Sequence, residues 1–171
     1  LLMKRIFVLL LVLLILITAG WIVFHKFEGE TPAVDIKLPS AYLNKSYKIG
    51  VNVSDHKTGL RKIVVSILQK GKEKVLLEKD YPPVSILDLL SSGTAKTDSF
   101  EVPVEPWKYG MSDGEAVIRI TVTDLSWRRI NKGNVFYQEK EVLIDTVPPK
   151  VDVLTKRHNI ETGGSGLVIY R

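Results

Sequence analysis

Three consecutive residues, Ser54, Asp55 and His56, have the side-chain types of a nucleophile, an acid and a general base. A hydrolytic triad joins such groups by hydrogen bonds between their side chains. Adjacent residues on an extended chain, however, point to opposite faces. The surrounding run, Ser54–Gly59, is also rich in residues that favour turns. We therefore predict a solvated turn here, and no catalytic residue in this chain.

Four oxygen-bearing side chains, Asp124, Asn131, Asn134 and Asp145, are candidate calcium ligands. Calcium takes six to eight oxygen ligands, and an ion between two modules would stiffen a stalk. The spacing does not match an EF-hand loop, and caps of turns and loops explain the same residues. We favour the caps, so the sequence assigns no metal site.

The lack of cysteine narrows the chemistry further. It excludes disulfides, thiolate metal sites and a catalytic thiol. The three histidines, His25, His56 and His158, are far apart in the sequence and form no local metal motif. We expect no cofactor in this chain.

Three aromatic residues, Trp107, Tyr109 and Trp127, fall in segments that read as loops. Exposed, they would form a patch for a glycan or a protein; folded inwards, they would cap the ends of the sheets. We favour the caps.

The net charge of +5 looks like a nucleic-acid signature until the charges are placed. Lys4, Arg5 and Lys26 flank an apolar stretch. Without these three, 21 of the 24 basic residues remain, against 19 acidic residues. Mixed charges spread along the chain are typical of solvated strand faces. We expect no nucleic-acid partner.

The apolar stretch is Ile6–Phe24, nineteen residues without a charge. As a helix it would extend about 28 Å, close to the thickness of a bilayer core. The positive residues before it place the N-terminus in the cytoplasm and the bulk of the chain outside. A cleaved signal peptide is the alternative, but its apolar region is usually shorter. We predict an uncleaved anchor, with the lipid bilayer as partner.

Alternating apolar and polar residues predict about seven strands after the anchor. Gln69–Lys72 is typical of a hairpin turn, and Pro103 indicates an edge strand. One short helix is predicted near Val84–Leu90. Strands with two faces must bury their apolar side, so we predict an antiparallel sandwich, with a barrel as the alternative. The predicted strands lie near Val34–Leu38, Tyr47–Val53, Ile63–Ile67, Val75–Leu77, Phe100–Val104, Ala116–Val122 and Val135–Ile144.

The run Ser112–Asp124 and the exit Ile144–Pro149 resemble bacterial immunoglobulin-like modules. The segments Pro148–Leu154, His158–Ile160 and Gly163–Tyr170 look like the stalk of membrane-anchored M23-family (lysostaphin-type) peptidases. This resemblance implies an immunoglobulin-like fold and a downstream zinc domain that cuts peptidoglycan.

The family's zinc signature needs a His and an Asp four residues apart and a later His-x-His, and this sequence has neither. We therefore expect zinc only in a domain beyond this chain, and no enzyme within it. Peptidoglycan or envelope proteins are the further partners to consider. An adhesion, sensor or envelope-complex module on the same anchor is the alternative function.

The expected organisation is an anchor at 1–26, a linker at 27–33, an immunoglobulin-like sandwich at 34–147 and a second, truncated β-module at 148–171. The expected location is the bacterial cytoplasmic membrane, with the bulk of the chain in the periplasm or outside.

Overall fold

A computed structural model describes residues 2–82, 95–148, 150, 152–154, 162, 164, 165 and 168–170. It is mainly β, with one apolar helix at the N-terminus, and this confirms the coarse prediction. The helix predicted near Val84–Leu90 falls outside the described residues.

The N-terminal helix α1 spans Leu2–Lys26. It is long and apolar enough to cross a bilayer, and its apolar side chains are exposed rather than packed against the strands. An N-terminal signal sequence can also form a helix this long and apolar. The exposed surface indicates that α1 needs an apolar environment that the other described residues do not supply.

Two sheets follow α1. The smaller has the order β1-β3-β6, all antiparallel, and β6 is an edge strand that carries Pro103, as predicted. The larger has the order β2-β8-β7-β4-β5, in which only the β2–β8 pair is parallel. The strands are β1 Ala33–Lys37, β2 Tyr42–Leu43, β3 Tyr47–Ser54, β4 Leu60–Gln69, β5 Lys72–Asp80, β6 Thr97–Val104, β7 Gly114–Asp124 and β8 Val135–Ile144.

The inward faces of both sheets form one hydrophobic core. Strands β3 and β7 alternate buried and more exposed residues almost without a break, because successive side chains in a strand point to opposite faces. Fully burying an aliphatic side chain contributes about 1.5–3 kcal/mol, so this core dominates the stability. Its members are Leu43, Tyr47, Ile49, Val51, Val53, Leu60, Ile63, Val65, Ile67, Val102, Val104, Ala116, Ile118, Ile120, Val122, Val142 and Ile144.

The turn between β4 and β5 fixes how these two strands pair. Lys70 and Gly71 both have positive φ, at 50° and 76°, and form the predicted two-residue hairpin between β4 and β5. The two-residue strand β2 and the short helical turns Pro106–Tyr109 and Arg128–Asn131 were not predicted. Such short elements have no hydrophobic period to reveal them.

The C-terminal segment was predicted to begin a second β-module. Among its described residues, Val153 and Tyr170 form an antiparallel bridge, and the Leu154 amide donates to the Ile169 carbonyl at 2.8 Å.

Candidate functional site at the junction of helix and sheets

The register of two strand pairs brings three carboxylates together where α1 meets the sheets. Ala33 pairs with Ser54, so the segment before β1 runs beside the turn after β3. Leu60 pairs with Asp124, so the same turn lies beside the end of β7. Glu28, Asp55 and Asp124 therefore converge, and we call these three residues the junction cluster.

All three residues of the junction cluster are buried, with exposed fractions of 7%, 6% and 0% for Glu28, Asp55 and Asp124. One carboxylate oxygen from each lies within 4.8 Å of the others. Buried acids need hydrogen-bond donors or a counter-charge, because removing a carboxylate from water is costly. The question is which groups supply them.

Asp124 receives its donors from the loop that follows β7. Its Oδ1 accepts hydrogen bonds from the amides of Ser126 (2.9 Å) and Asn134 (2.7 Å), and its Oδ2 accepts from Asn134 Nδ2 at 2.8 Å. Gly133 has a φ of +80°, and a Cβ there would lie 2.7 Å from Asp124 Oδ1. Glycine is therefore required for this loop to close over Asp124.

Asp55 and Glu28 are satisfied on one oxygen each by the turn between β3 and β4. Asp55 Oδ1 accepts from the amides of Lys57 (3.1 Å) and Gly59 (2.8 Å). Glu28 Oε1 accepts from the Thr58 amide (3.0 Å) and from Thr58 Oγ1 (2.7 Å). Glu28 Oε2 is buried and has no hydrogen-bond partner in the described part of the chain.

Burial raises the pKa of Glu28 above its ordinary value, and the charge of Asp55 adds to the shift, while hydrogen bonds from Thr58 oppose it. Burial likewise raises the pKa of Asp124, against the hydrogen bonds from Ser126 and Asn134. Both shifts mean that the fold disfavours the ionised carboxylates. The hydrogen bonds of the junction cluster therefore do not fully offset the burial of its carboxylates.

The end of α1 is bonded to the same loops. The Lys26 carbonyl accepts from the Trp127 amide (2.8 Å) and from Ser126 Oγ (3.0 Å). Asn134 Nδ2 donates to the carbonyls of Glu28 (3.2 Å) and Glu30 (3.0 Å). These bonds give partners to carbonyls at and just beyond the helix end, which intrahelical bonds leave unsatisfied.

The side chains of Asp55 and His56, two of the three candidate triad residues, do not come together in the structure. His56 is exposed while Asp55 is buried and caps its own turn, so the two side chains do not form a triad. The predicted turn Ser54–Gly59 is present, since β3 ends at Ser54 and β4 begins at Leu60. It is not solvated as predicted, because Asp55 and Thr58 are buried.

The four candidate calcium ligands do not form one site. Asp124 and Asn134 lie together, but Asp145 is exposed after the far end of β8. The ten residues of β8 extend about 34 Å, so Asn134 and Asp145 stand at opposite ends of the strand. The side chain of Asn131 lies outside the described part of the chain.

The loop aromatics also differ from one another. Trp127 is partly buried and packs edge-to-face on Phe27, with ring centroids 6.2 Å apart. Tyr109 is half-buried, and Trp107 is 63% exposed. The expected capping role therefore fits Trp127, at the junction, and does not fit Trp107.

Glu28 and Asp55 were missed as cluster members. The only signal in the sequence was position along the chain: Glu28 precedes the first predicted strand, while Asp55 and Asp124 each lie two residues after the end of a predicted strand. Their convergence depends on which strands pair, and no residue pattern along the chain states that.

Outside the junction cluster, the carboxylate of Asp98 links the two sheets. Its Oδ2 accepts from Lys79 Nζ at 2.8 Å and from the Tyr81 hydroxyl, and its Oδ1 accepts from the Ser99 amide. Burial alone would raise the pKa of Asp98, but the hydrogen bonds from Lys79 and Tyr81 outweigh it and lower the pKa. We call Lys79, Tyr81 and Asp98 the Asp98 triad.

Comparisons with known proteins identify no family. No family model and no curated protein match the chain. Among solved structures, it is similar to a β-glucosidase from Listeria innocua in complex with glucose, at 17% identity over 71% of this chain and a TM-score of 0.34. It is also similar to β-glucosidase 3B from Thermotoga neapolitana in complex with α-D-glucose, at 16% identity over 66% and a TM-score of 0.31. The matched region covers 17% of each of those chains.

Proposed function

We propose that this chain is a single-pass membrane anchor whose immunoglobulin-like sandwich, outside the cytoplasmic membrane, holds a downstream domain at a set distance from the bilayer. The N-terminus lies in the cytoplasm, and α1 stays uncleaved. The direct role of the chain is structural.

The observation that carries this proposal is the bonding of the helix end to the sheets. Ser126, Trp127 and Asn134 together donate to three carbonyls of Lys26, Glu28 and Glu30. Phe27 packs on Trp127. A tether that only retained the protein at a membrane would need no such contacts, because a flexible linker serves that purpose.

The nature of the downstream domain is part of the proposal. The resemblance of Pro148–Tyr170 to M23-family stalks supports a zinc peptidase acting on peptidoglycan. An adhesin or sensor domain on the same stalk is the alternative. Translation of the reading frame past Arg171 should yield His and Asp at zinc-ligand spacing; an adhesin or sensor sequence there would reject the peptidase.

Spin labels measure how firmly the sheets are held on α1. The chain has no cysteine, so a pair at Gly20→Cys and Lys140→Cys is unique. Residue 20 has nothing within 4 Å of a Cβ, and Lys140 is exposed. In nanodiscs with EDTA, we expect a narrow distance distribution between the two labels.

The matched control replaces the donors of the junction by Ser126→Ala and Asn134→Ala. We expect the distribution to broaden while the sheets stay folded by circular dichroism. A broad distribution in the otherwise unchanged chain would argue against a fixed stalk. Separately, Lys140→Cys should react with an impermeant maleimide on intact spheroplasts, whereas Met3→Cys should need permeabilisation.

A further inference from the structure

One oxygen of the junction cluster lacks the partner that its burial requires. The Glu28 side chain is only 4% exposed, and its Oε2 has no hydrogen bond from any residue that the structure describes. Lys57 Nζ lies 3.8 Å away, too far for a hydrogen bond, and binds Glu30 Oε1 instead at 2.6 Å. Burying a carboxylate oxygen without a hydrogen bond is costly, so it points to a group that binds there.

The spacing of the three carboxylates suits a calcium ion. Calcium–oxygen distances are about 2.3–2.6 Å, so two ligands on opposite sides of the ion are about 4.6–5.2 Å apart. The three ligand atoms of the junction cluster lie within 4.8 Å of one another. Magnesium demands a smaller, strictly octahedral shell, and zinc prefers nitrogen and sulfur donors, which the cluster lacks.

We propose that the junction cluster binds one calcium ion through carboxylate oxygens of Glu28, Asp55 and Asp124. The ion contacts the unpartnered Glu28 Oε2 and joins the segment after α1 to the turn after β3 and to the end of β7. Water completes its shell. The ion adds to the hydrogen bonds that already hold the junction without it, so this proposal does not depend on the stalk function.

The competing arrangement is neutralisation by the protein's own cations. Lys26 is 1% exposed, and its charge acts on all three carboxylates and on Arg61. Within the described part of the chain, Lys26 forms no ion pair with a carboxylate at 4.0 Å or less. The Lys57 side chain is 46% exposed and can turn to solvent when an ion enters. Neither lysine therefore occupies the position between the carboxylates.

Calcium binding is measured on the full chain in nanodiscs of zwitterionic lipid, which does not itself attract the ion. After removal of divalent cations, calorimetric titration with calcium chloride should show one site per chain. Thermal unfolding should shift upwards by about 5 °C or more at a calcium concentration about one hundred times Kd. Magnesium at equal ionic strength should give a much smaller shift.

Glu28→Gln is the decisive variant, because its remaining oxygen can still accept from Thr58. We expect it to weaken calcium binding at least about tenfold, since one of three charged ligands is lost. Glu101→Gln, an exposed carboxylate paired with Lys48, is the matched control and should leave binding unchanged. Terbium bound in the same place should luminesce on excitation of Trp127, and Trp127→Phe should reduce that signal without changing calcium affinity.

Three results would overturn the proposal: no calcium binding up to millimolar concentration, equal calcium affinity in Glu28→Gln, or equal responses to calcium and magnesium. A large loss of stability in Lys26→Met, together with no response to calcium, would assign neutralisation to Lys26. The spin-label and topology measurements are made with EDTA, so failure of the calcium site and failure of the stalk are observed separately.

Discussion

The junction cluster and the Asp98 triad both withdraw carboxylates from solvent, but they do so with different donors. Asp98 receives two side-chain donors, one of them the ammonium of Lys79, and its pKa is lowered. Glu28 and Asp124 receive amide and hydroxyl donors, and burial, with a smaller contribution from the charge of Asp55, raises their pKa values. The carboxylates are similar, but Asp98 has an ammonium group at hydrogen-bond distance, and the described surroundings of the junction cluster offer none that close.

The two regions differ in whether the protein itself supplies all the hydrogen bonds that their carboxylates need. The Asp98 triad is complete, because donor and acceptor both come from the protein and join β5 to β6. The junction cluster concentrates negative charge and leaves one oxygen without a hydrogen bond. A region of the second kind is where a cation gains most, because no protein donor must be displaced from that oxygen.

The largest effect on stability is expected from Gly133→Ala, which disturbs the loop that encloses Asp124. The added Cβ would meet both the side chain and the carbonyl of Asp124, at a φ of +80°. We expect a loss of about 3 kcal/mol or more in the free energy of unfolding. Chemical denaturation measures it.

Gly71→Ala is the matched control, in the hairpin turn between β4 and β5. Its φ is similar, at +76°, but nothing lies within 4 Å of the added Cβ. We expect a loss of only about 1 kcal/mol, from backbone strain alone. Equal losses in the two variants would show that the loop can move away from Asp124.

Neutralising one carboxylate in each region should change stability in opposite directions. Without divalent cations at neutral pH, Asp98→Asn should lose about 1–2 kcal/mol, because the charge-assisted bond from Lys79 disappears. Glu28→Gln should gain up to about 1 kcal/mol, because an amide donor replaces an unpartnered oxygen near other carboxylates. Thermal unfolding measures both, and a destabilised Glu28→Gln would contradict the assignment of excess negative charge.

The smallest effect is the pH dependence. A raised pKa stabilises the fold below the ordinary value, 4.5 for glutamate, and this contribution is lost as pH rises through the folded-state pKa. A lowered pKa, as for Asp98, stabilises the fold above its ordinary value of 3.8 and is lost as pH falls. Unfolding curves from pH 3 to 8, without divalent cations, measure both slopes.

Glu28→Gln should therefore flatten the decline in stability above pH 4.5, and Asp98→Asn should flatten the decline towards acid. Each variant serves as the control for the other. If Glu28→Gln instead changed only the acid side, the pKa of Glu28 would be lowered rather than raised.

The strands could be predicted because their signal is local. Alternation of period two marked β3, β4 and β7, and the Lys70–Gly71 turn fixed one hairpin. The two-residue β2 could not be predicted, since it exists only by pairing with β8. Its hydrogen bonds come from tertiary structure and leave no pattern along the chain.

For the candidate site, the sequence supplied the residue types but not their grouping. Asp124 and Asn134 were named as oxygen ligands, and the structure places them together. Asp145 was grouped with them although β8 separates it from Asn134. Glu28 and Asp55 were not included.

The amino-acid sequence by itself determined the apolar helix, the β character, and that possible metal ligands are mostly oxygen atoms rather than nitrogen or sulfur. These features depend on composition and on neighbours along the chain. Only the tertiary structure decided that Glu28, Asp55 and Asp124 meet at the end of α1. The physical reason is strand register: the pairings of Ala33 with Ser54 and of Leu60 with Asp124 bring together residues almost a hundred positions apart.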